Sequence, residues 1–245
     1  FDVPRALLGL KTPVGSLRIA TEQPMQALLI PREPGRAGGA PIRFDCVPGF
    51  VFHIAQAFDR EDGTLVLDVV RYRAYPAFDD LESLFRKPQP DMVPRLERMT
   101  LDPGSRSCGI EAWGDRAFEL PVTAPAALGE PRRIIYGIGA PPGRANPFLT
   151  AIQRLDTHSG EIRALDLGAD VAGEPMLVPG RDGEEGWLLS LVHRAGRDRT
   201  DLLILRASDL SPQATVTLPC VIPAGFHGCW VPRAELPGPA PGSSA

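Results

Sequence analysis

The sequence predicts an all-β fold built from consecutive antiparallel hairpins. Short apolar runs alternate with turn-forming segments, and the chain holds 27 prolines and 25 glycines. Several runs alternate apolar and polar positions, so that in TLVLDVV the side chains of Leu65, Leu67 and Val69 share one strand face. Only FDDLESLFRK, at 78–87, has a helical pattern, and it is short. A β-sandwich and part of a β-propeller both satisfy this pattern, and periodicity alone does not choose between them.

The predicted strands follow one another along most of the chain. Two of their connections are typical hairpin turns, REDG at 60–63 and DTHSGE at 156–161. Gly63 and Gly160 supply the positive φ that such turns need. The runs that predict strands lie at 16–22, 26–33, 64–75, 95–102, 132–140, 151–168, 186–193, 201–210 and 214–222.

Composition restricts the class of protein and its partners. A chain of 245 residues with 43% hydrophobic residues is long enough to bury a sizeable core. Its net charge of -4 and its scattered arginines give no general attraction for nucleic acid. The sequence has no apolar run long enough for a membrane span and no secretion leader, so we expect a cytoplasmic protein. We expect residues 1–233 to fold, and the Pro/Gly/Ser-rich segment 234–245 to be disordered.

The four cysteines show no CxxC spacing, and we expect them to be reduced and mostly buried. They are Cys46, Cys108, Cys220 and Cys229. Cys220, His227 and Cys229 are candidate zinc ligands, but the set lacks a fourth ligand and the usual ligand spacing.

Two of the four histidines stand in apolar segments far apart in the sequence. His53 lies in the predicted strand FVFHIAQAF, in which Val51, His53 and Ala55 are expected to share one face and Phe52, Ile54 and Gln56 the other. His227 lies in AGFHGCW, where the flanking glycines allow a sharp turn of the backbone. From position alone, both are expected to be structural histidines with satisfied hydrogen bonds. His158 and His193 stand in loop contexts without an apolar shell, which argues against one metal site made of all four.

Several segments together resemble the carotenoid cleavage oxygenase family, which includes apocarotenoid and lignostilbene dioxygenases and retinoid isomerases. The resemblance is carried by GEPMLVPGRDGEEGWLLSLVHRAGRDRTDLLILRASDL, then VTLPCVIPAGFHGCWVP, and upstream by FVFHIAQAFDRED, RLERMTLD and FELP. It implies that residues 1–233 are the C-terminal portion of a seven-bladed β-propeller with Fe(II) on its axis, held by four histidines. By resemblance, His53 and His227 are the third and fourth of these ligands. Glu119 and Glu174 match two glutamates that hydrogen-bond to the ligands, Glu119 facing His53 and Glu174 facing His227.

The chain departs from the family pattern near the first of these histidines. Ile54, Gln56 and Asp59 stand where the family usually has histidine, asparagine and glutamate. Neither His158 nor His193 matches the first two ligand histidines, which the resemblance implies lie upstream of this sequence. We therefore expect the C-terminal half of an enzyme, inactive by itself.

The resemblance implies a non-haem Fe(II) dioxygenase that adds O2 across a double bond of an apocarotenoid or stilbenoid and releases two carbonyl products. Its partners would be a lipophilic substrate and O2. Peripheral membrane contact is part of the expectation, since family members take their substrates from bilayers. The alternative is a β-propeller or sandwich that acts as a binding module with structural histidines. The two hypotheses differ in whether the imidazoles of His53 and His227 converge, each against a carboxylate, or point apart.

Overall fold

The computed structural model describes residues 3–10, 16, 22–31, 40–73, 93–124, 129–142, 150–180, 186–223 and 225–232. These residues form β-strands and one short helix, α1 (Val3–Leu7), so the predicted all-β class is confirmed. The strands are β1 (Met25–Leu29), β2 (Ile42–Cys46), β3 (Phe50–Asp59), β4 (Leu65–Tyr72), β5 (Arg95–Asp102), β6 (Ser107–Ala112), β7 (Ala117–Thr123), β8 (Ile134–Ala140), β9 (Ala151–Asp156), β10 (Ile162–Asp166), β11 (Val171–Ala172), β12 (Met176–Val178), β13 (Trp187–His193), β14 (Thr200–Arg206) and β15 (Pro212–Thr217).

The strands form three consecutive antiparallel meanders and one separate hairpin. β3 to β6 make the first meander and β7 to β10 the second, each with its four strands in sequence order. The third runs from β11 to β15, with β11 and β12 both pairing with β13. Within the described part of the chain, β1 and β2 form a two-stranded sheet of their own. Four-stranded antiparallel sheets repeated in this way are the blades of a β-propeller, which confirms the partial propeller among the predicted architectures.

Apolar clusters fill the spaces between successive sheets. The hairpin β1–β2 packs on the first meander through Phe44, Cys46, Val69, Met99 and Leu101. The first and second meanders share a cluster of Val70, Tyr72, Leu96, Phe118, Ile135 and Leu155. The second and third share a cluster that includes Leu120, Tyr136, Ile138, Ile152, Leu188, Val192 and Leu205. The first and second blades therefore bury both of their faces against neighbouring sheets, and one strand of each blade lies beside the next, β3 beside β7 and β7 beside β12.

Both predicted hairpin turns are present, and each contains its glycine at positive φ. In the turn at 60–63, Gly63 has φ +83 and donates its N–H to Arg60. In the turn at 156–161, Gly160 has φ +76 and donates to Asp156. The predicted helix at 78–87, most of the predicted strand at 16–22 and the tail at 234–245 lie outside the described residues.

The alternation predicted around His53 is wrong at Gln56. The register between β3 and β4 shifts between Val51 and His53 and again between Ile54 and Gln56, so β3 carries two β-bulges. Gln56 is therefore buried, while Ile54, predicted to share its face, is exposed. A bulge changes which residues face the same side of a strand, and the sequence pattern does not reveal it.

Candidate metal centre

The four site residues predicted from the sequence come from the inner strands and loops of all three blades. His53 lies on β3 and Glu119 on β7, the first strands of two neighbouring blades. Glu174 lies between β11 and β12, and His227 follows β15. Because β3, β7 and β12 lie side by side, residues distant in sequence meet at one place.

His53 is held by the carboxylate of Glu119. The His53 Nδ1 lies 2.7 Å from Glu119 Oε2. The two side chains have relative exposures of 24% and 9%, so the carboxylate is largely removed from water. The backbone N–H of Leu120 donates to the same Oε2 at 2.6 Å, and the Tyr72 hydroxyl donates to Oε1 at 2.6 Å. Both oxygens of Glu119 are thus engaged, which is what a buried carboxylate requires.

The backbone of β7 has an unusual conformation directly after Glu119. The pairing of β7 with β8 shifts register between Glu119 and Val122, and Leu120 has φ +46. A leucine in the left-handed region is uncommon and strained, and such residues concentrate at functional sites. This conformation brings the Leu120 N–H onto the side chain of Glu119.

His227 is held in a parallel way by Glu174, but closer to the surface. Its Nδ1 lies 3.0 Å from Glu174 Oε1, and the backbone N–H of Gly228 donates to Oε2 at 2.6 Å. The relative exposures are 62% for His227 and 12% for Glu174. A Cβ at position 228 would lie 2.9 Å from the Met176 Sδ, so glycine permits the close approach of this turn to β12.

The two imidazoles converge. The ring centroids of His53 and His227 lie 5.3 Å apart with an interplanar angle of 75°. Because imidazole nitrogen binds a metal ion at about 2 Å, two rings on one ion have centroids roughly 4.5 to 6.5 Å apart. Each Nδ1 contacts a carboxylate, and within the described part of the chain neither Nε2 has a hydrogen-bond partner. A carboxylate on Nδ1 fixes the tautomer that leaves Nε2 as a ligand atom, so this pair suits a divalent transition metal.

The electrostatic surroundings of His53 favour a positive charge at this position. The hydrogen bond that His53 donates to Glu119 raises the pKa of His53 above its ordinary 6.5, burial opposes this rise, and the charges of Glu119 and Glu174 add to it. A cation at the two imidazoles would meet the same two carboxylates.

Other candidate ligands lie elsewhere. His158 lies in the exposed turn after β9, and His193, at the end of β13, contacts Thr200. Among the residues that the structure describes, no group of three or more histidine, cysteine or acidic side chains could hold a metal. This includes the zinc hypothesis of Cys220, His227 and Cys229. Cys220 and Cys229 are exposed and Cys108 is half-buried, so the expectation of mostly buried cysteines is wrong.

Sequence reasoning missed three groups that hold the carboxylates. They are the Tyr72 hydroxyl and the backbone N–H groups of Leu120 and Gly228. The glycine beside His227 was a usable signal for close approach, but nothing in the sequence linked Tyr72 to Glu119.

Two of the residues that depart from the family pattern, Gln56 and Ile54, differ in burial and in their contacts. Gln56 donates to Asp68 Oδ2 at 2.6 Å and exchanges two hydrogen bonds with the backbone of Arg132. It therefore joins β3 to β4 and to the segment before β8. Ile54 is exposed. The substitutions at these two positions leave His53 in contact with Glu119.

Exposed apolar side chains lie next to the two histidines in the sequence. Phe52 and Ile54 flank His53, Phe226 precedes His227, and all three are exposed. The ring of Phe52 lies 6.3 Å from that of His53. Phe58 instead packs under the guanidinium of Arg98, 5.7 Å from its ring centroid.

No helix within the described ranges is long and apolar enough to cross a bilayer.

Comparison with known proteins gives consistent matches over almost the whole chain. The family model described as retinal pigment epithelial membrane protein (RPE65) matches residues 2–232. The apocarotenoid-15,15'-oxygenase of Synechocystis sp. is 33% identical over 232 residues, which cover 91% of this chain and 46% of that protein. The carotenoid cleavage oxygenase of Mycobacterium tuberculosis is 34% identical over 221 residues, or 85% of this chain and 42% of that protein. The isoeugenol monooxygenase of Pseudomonas nitroreducens is 32% identical over 222 residues, or 82% and 45%.

Solved structures agree. The crystal structure of cobalt-substituted Synechocystis ACO superposes with a TM-score of 0.81 at 31% identity, covering 94% of this chain and 48% of that chain. A crystal structure of an ACO/RPE65 chimera gives 0.80 at 32% identity, with 93% and 48% covered. This chain spans about half the length of the relatives it matches. With a family match over residues 2–232, the chain belongs to the RPE65, or carotenoid cleavage oxygenase, family.

Proposed function

We propose that this chain supplies His53 and His227 as two ligands of an Fe(II) ion in an oxygenase that cleaves a carbon–carbon double bond. The observation that carries the proposal is the convergence of the two rings, 5.3 Å apart, with a carboxylate at each Nδ1. A binding module with structural histidines gives no reason for two imidazoles to share this arrangement. One of the similar solved structures is itself a cobalt-substituted form.

The protein residues have distinct roles in this proposal. His53 and His227 bind the ion through Nε2, and they must be neutral to do so. Glu119 and Glu174 accept hydrogen bonds from the Nδ1–H groups, which aims the rings and makes each Nε2 a better electron-pair donor to the ion. When bound, non-haem iron supplies one-electron chemistry toward O2. The exposed apolar side chains beside the histidines, Phe52 and Phe226 among them, would hold an apolar substrate and exclude water.

The substrate class follows from this apolar surface and from the relatives' names. Phe52, Ile54, Phe226 and Trp230 offer hydrophobic contact and no charge. The relatives are named for apocarotenoids, carotenoids and isoeugenol. We therefore propose an apocarotenoid or stilbenoid alkene. In the dioxygenase reaction, one alkene and one O2 give two carbonyl fragments, each with one oxygen atom from O2.

Two histidines do not make a tight ferrous site, so the chain needs further ligands. We expect the 245-residue chain alone to show no cleavage activity. Its iron content after purification tests this expectation. Stoichiometric, tightly bound iron in the chain alone would contradict it.

Activity is tested with the product of the complete gene, supplied with Fe(II), an apocarotenoid aldehyde or a stilbenoid, and ¹⁸O₂. We expect two carbonyl products, each with one ¹⁸O atom by mass spectrometry of rapidly trapped samples. His53→Ala and His227→Ala should each abolish cleavage. His158→Ala, at an exposed turn away from the site, is the matched control and should retain it.

Two results would contradict the proposal. Full activity in His53→Ala or His227→Ala would show that the substituted histidine is not needed as a metal ligand. An ¹⁸O atom in only one of the two carbonyl products would indicate a monooxygenase, in which the oxygen atom of the other product comes from water.

Membrane contact is a separate part of the proposal. Leu7, Leu8 and Leu10, in and just after α1, are exposed. Three leucines close together would insert favourably into a bilayer interface. We expect flotation with phosphatidylcholine vesicles, lost in a variant with all three leucines changed to serine. Equal flotation of both proteins would contradict this part.

A further inference from the structure

We propose that Tyr72 is a positioning residue that fixes the carboxylate of Glu119 and, through it, the imidazole of His53. The inference rests on the proposed function, in which His53 binds the metal through Nε2. Tyr72 is the last residue of β4, which pairs with β3, the strand that carries His53; β7, which carries Glu119, belongs to the next blade and contacts both of these strands.

The two oxygens of Glu119 have different partners. Oε2 accepts from His53 Nδ1 at 2.7 Å and from the Leu120 N–H at 2.6 Å. Oε1 accepts from the Tyr72 hydroxyl at 2.6 Å. A carboxylate is planar, so donors on both oxygens fix its orientation as well as its position. Without the hydroxyl, the buried Oε1 has no donor, and the carboxylate gains freedom to turn away from His53.

Tyr72 is itself well placed to hold this geometry. Its ring is buried in the cluster between the first two blades, against Leu96 and Phe118. Phe52 packs edge-on against it, with centroids 5.5 Å apart. Burial, with a contribution from Glu119, raises the pKa of Tyr72, so the hydroxyl stays protonated and remains a donor. A packed ring with a fixed donor loses little entropy when it orients its partner.

The second carboxylate is held differently. Glu174 accepts from the backbone N–H of Gly228, next to His227 in the chain. Both glutamates thus accept a hydrogen bond from a neighbouring main-chain N–H, and at Glu119 the side chain of Tyr72 supplies a further donor. A single substitution of Tyr72 can therefore remove the side-chain donor to Glu119 without changing the backbone.

The test uses the 245-residue chain labelled with ¹⁵N-histidine, with Tyr72→Phe as the variant. The matched control is Tyr136→Phe, the same chemical change at another buried tyrosine, which lies in a different apolar cluster. The first readout is metal-free: the NMR signal of the His53 Nδ1 proton, assigned with His53→Gln. We expect Tyr72→Phe to shift this signal upfield and broaden it by exchange with water, and Tyr136→Phe to leave it unchanged.

The second readout is binding of Zn²⁺, a diamagnetic ion that imidazole binds, followed at the His53 Nε2 signal. We expect Tyr72→Phe to weaken binding about tenfold, the lower end for groups that orient a metal ligand. In the wild-type chain, Zn²⁺ should also shift the ¹³Cζ signal of Tyr72, a measurement that needs no variant. An unchanged Nδ1 proton in Tyr72→Phe, or a Tyr72 signal unaffected when Zn²⁺ shifts His53, would overturn the inference.

The two proposals fail separately. If Zn²⁺ does not shift the His53 Nε2 signal in the wild-type chain, that result counts against the metal site. The metal-free Nδ1 signal still decides whether Tyr72 orients His53 through Glu119.

Discussion

The ring centroids of His53 and His227 lie 5.3 Å apart, although one residue is in the first blade and the other follows the last strand of the third. They meet because β3, β7 and β12 of the three blades lie side by side and the segment after β15 returns to them. Each ring is backed by its own glutamate, but the two glutamates differ in burial and in their partners. The energetic consequences of that difference are measurable.

Loss of Glu119 should destabilise the fold more than loss of Glu174. In Glu119→Ala, His53 Nδ1, the Tyr72 hydroxyl and the Leu120 N–H all lose their acceptor in a buried place. We expect a loss of about 3 kcal/mol, since buried unpaired donors cost about 1–3 kcal/mol each and some relax. In Glu174→Ala, water can replace the acceptor of the exposed His227, and we expect about 1 kcal/mol. Urea unfolding of both variants measures the difference. Equal losses would contradict the stated role of burial.

The stability that His53 contributes should depend on pH. Its pKa is raised in the folded state, chiefly by the hydrogen bond with Glu119. The protonated ring therefore stabilises the fold fully below the unfolded value near 6.5, and this contribution is lost as pH rises through the raised pKa. We expect the difference in unfolding free energy between wild type and His53→Gln to be larger at pH 6 than at pH 9. His158→Gln, at an exposed turn, is the control. If the difference in unfolding free energy between wild type and His53→Gln increases with pH, the prediction is wrong.

Gly139 should not tolerate a side chain. A Cβ there would lie 2.0 Å from the Ala117 carbonyl oxygen and 2.1 Å from Gln153 Nε2. Gly139 faces Phe118 across the β7–β8 pair, so a displaced β7 would move Glu119 as well. We expect Gly139→Ala to lose about 3 kcal/mol, at the upper end for overpacking. Gly109→Ala, also in a strand, has its nearest neighbour at 4.0 Å and should change stability by about 0.5 kcal/mol or less. Similar melting temperatures for the two variants would contradict this.

The four cysteines should react at two different rates. Burial, with hydrogen bonding to Cys46, raises the pKa of Cys108 to about 12, and Cys46 is buried. The thiolate is the reactive form, so Cys108 should react slowly at pH 8. Cys220 and Cys229 are exposed. We expect iodoacetamide to label these two first, as seen by peptide mass spectrometry. Labelling of Cys108 as fast as Cys220 would contradict the prediction.

The sequence by itself determined the β character of the chain, its turns and the residue types of the site. Alternation in β4 and glycines at the hairpin turns depend on neighbours in the sequence, so local pattern was sufficient there. The helix predicted at 78–87 lies outside the described residues, and the structure contains a different short helix, α1. The choice of His53, Glu119, Glu174 and His227 rested on likeness to a family, because no spacing along the chain links them.

The tertiary structure decided what those residues do to one another. The bulges of β3 and β7 reassigned strand faces, buried Gln56 and turned Leu120 N–H onto Glu119. The packing of β4 beside β3 brought the Tyr72 hydroxyl to the same carboxylate. A bulge shifts side chains by one residue without a mark in hydrophobic periodicity, and a hydrogen bond between blades depends on how sheets pack. These relationships are long-range, so only the folded chain contains them.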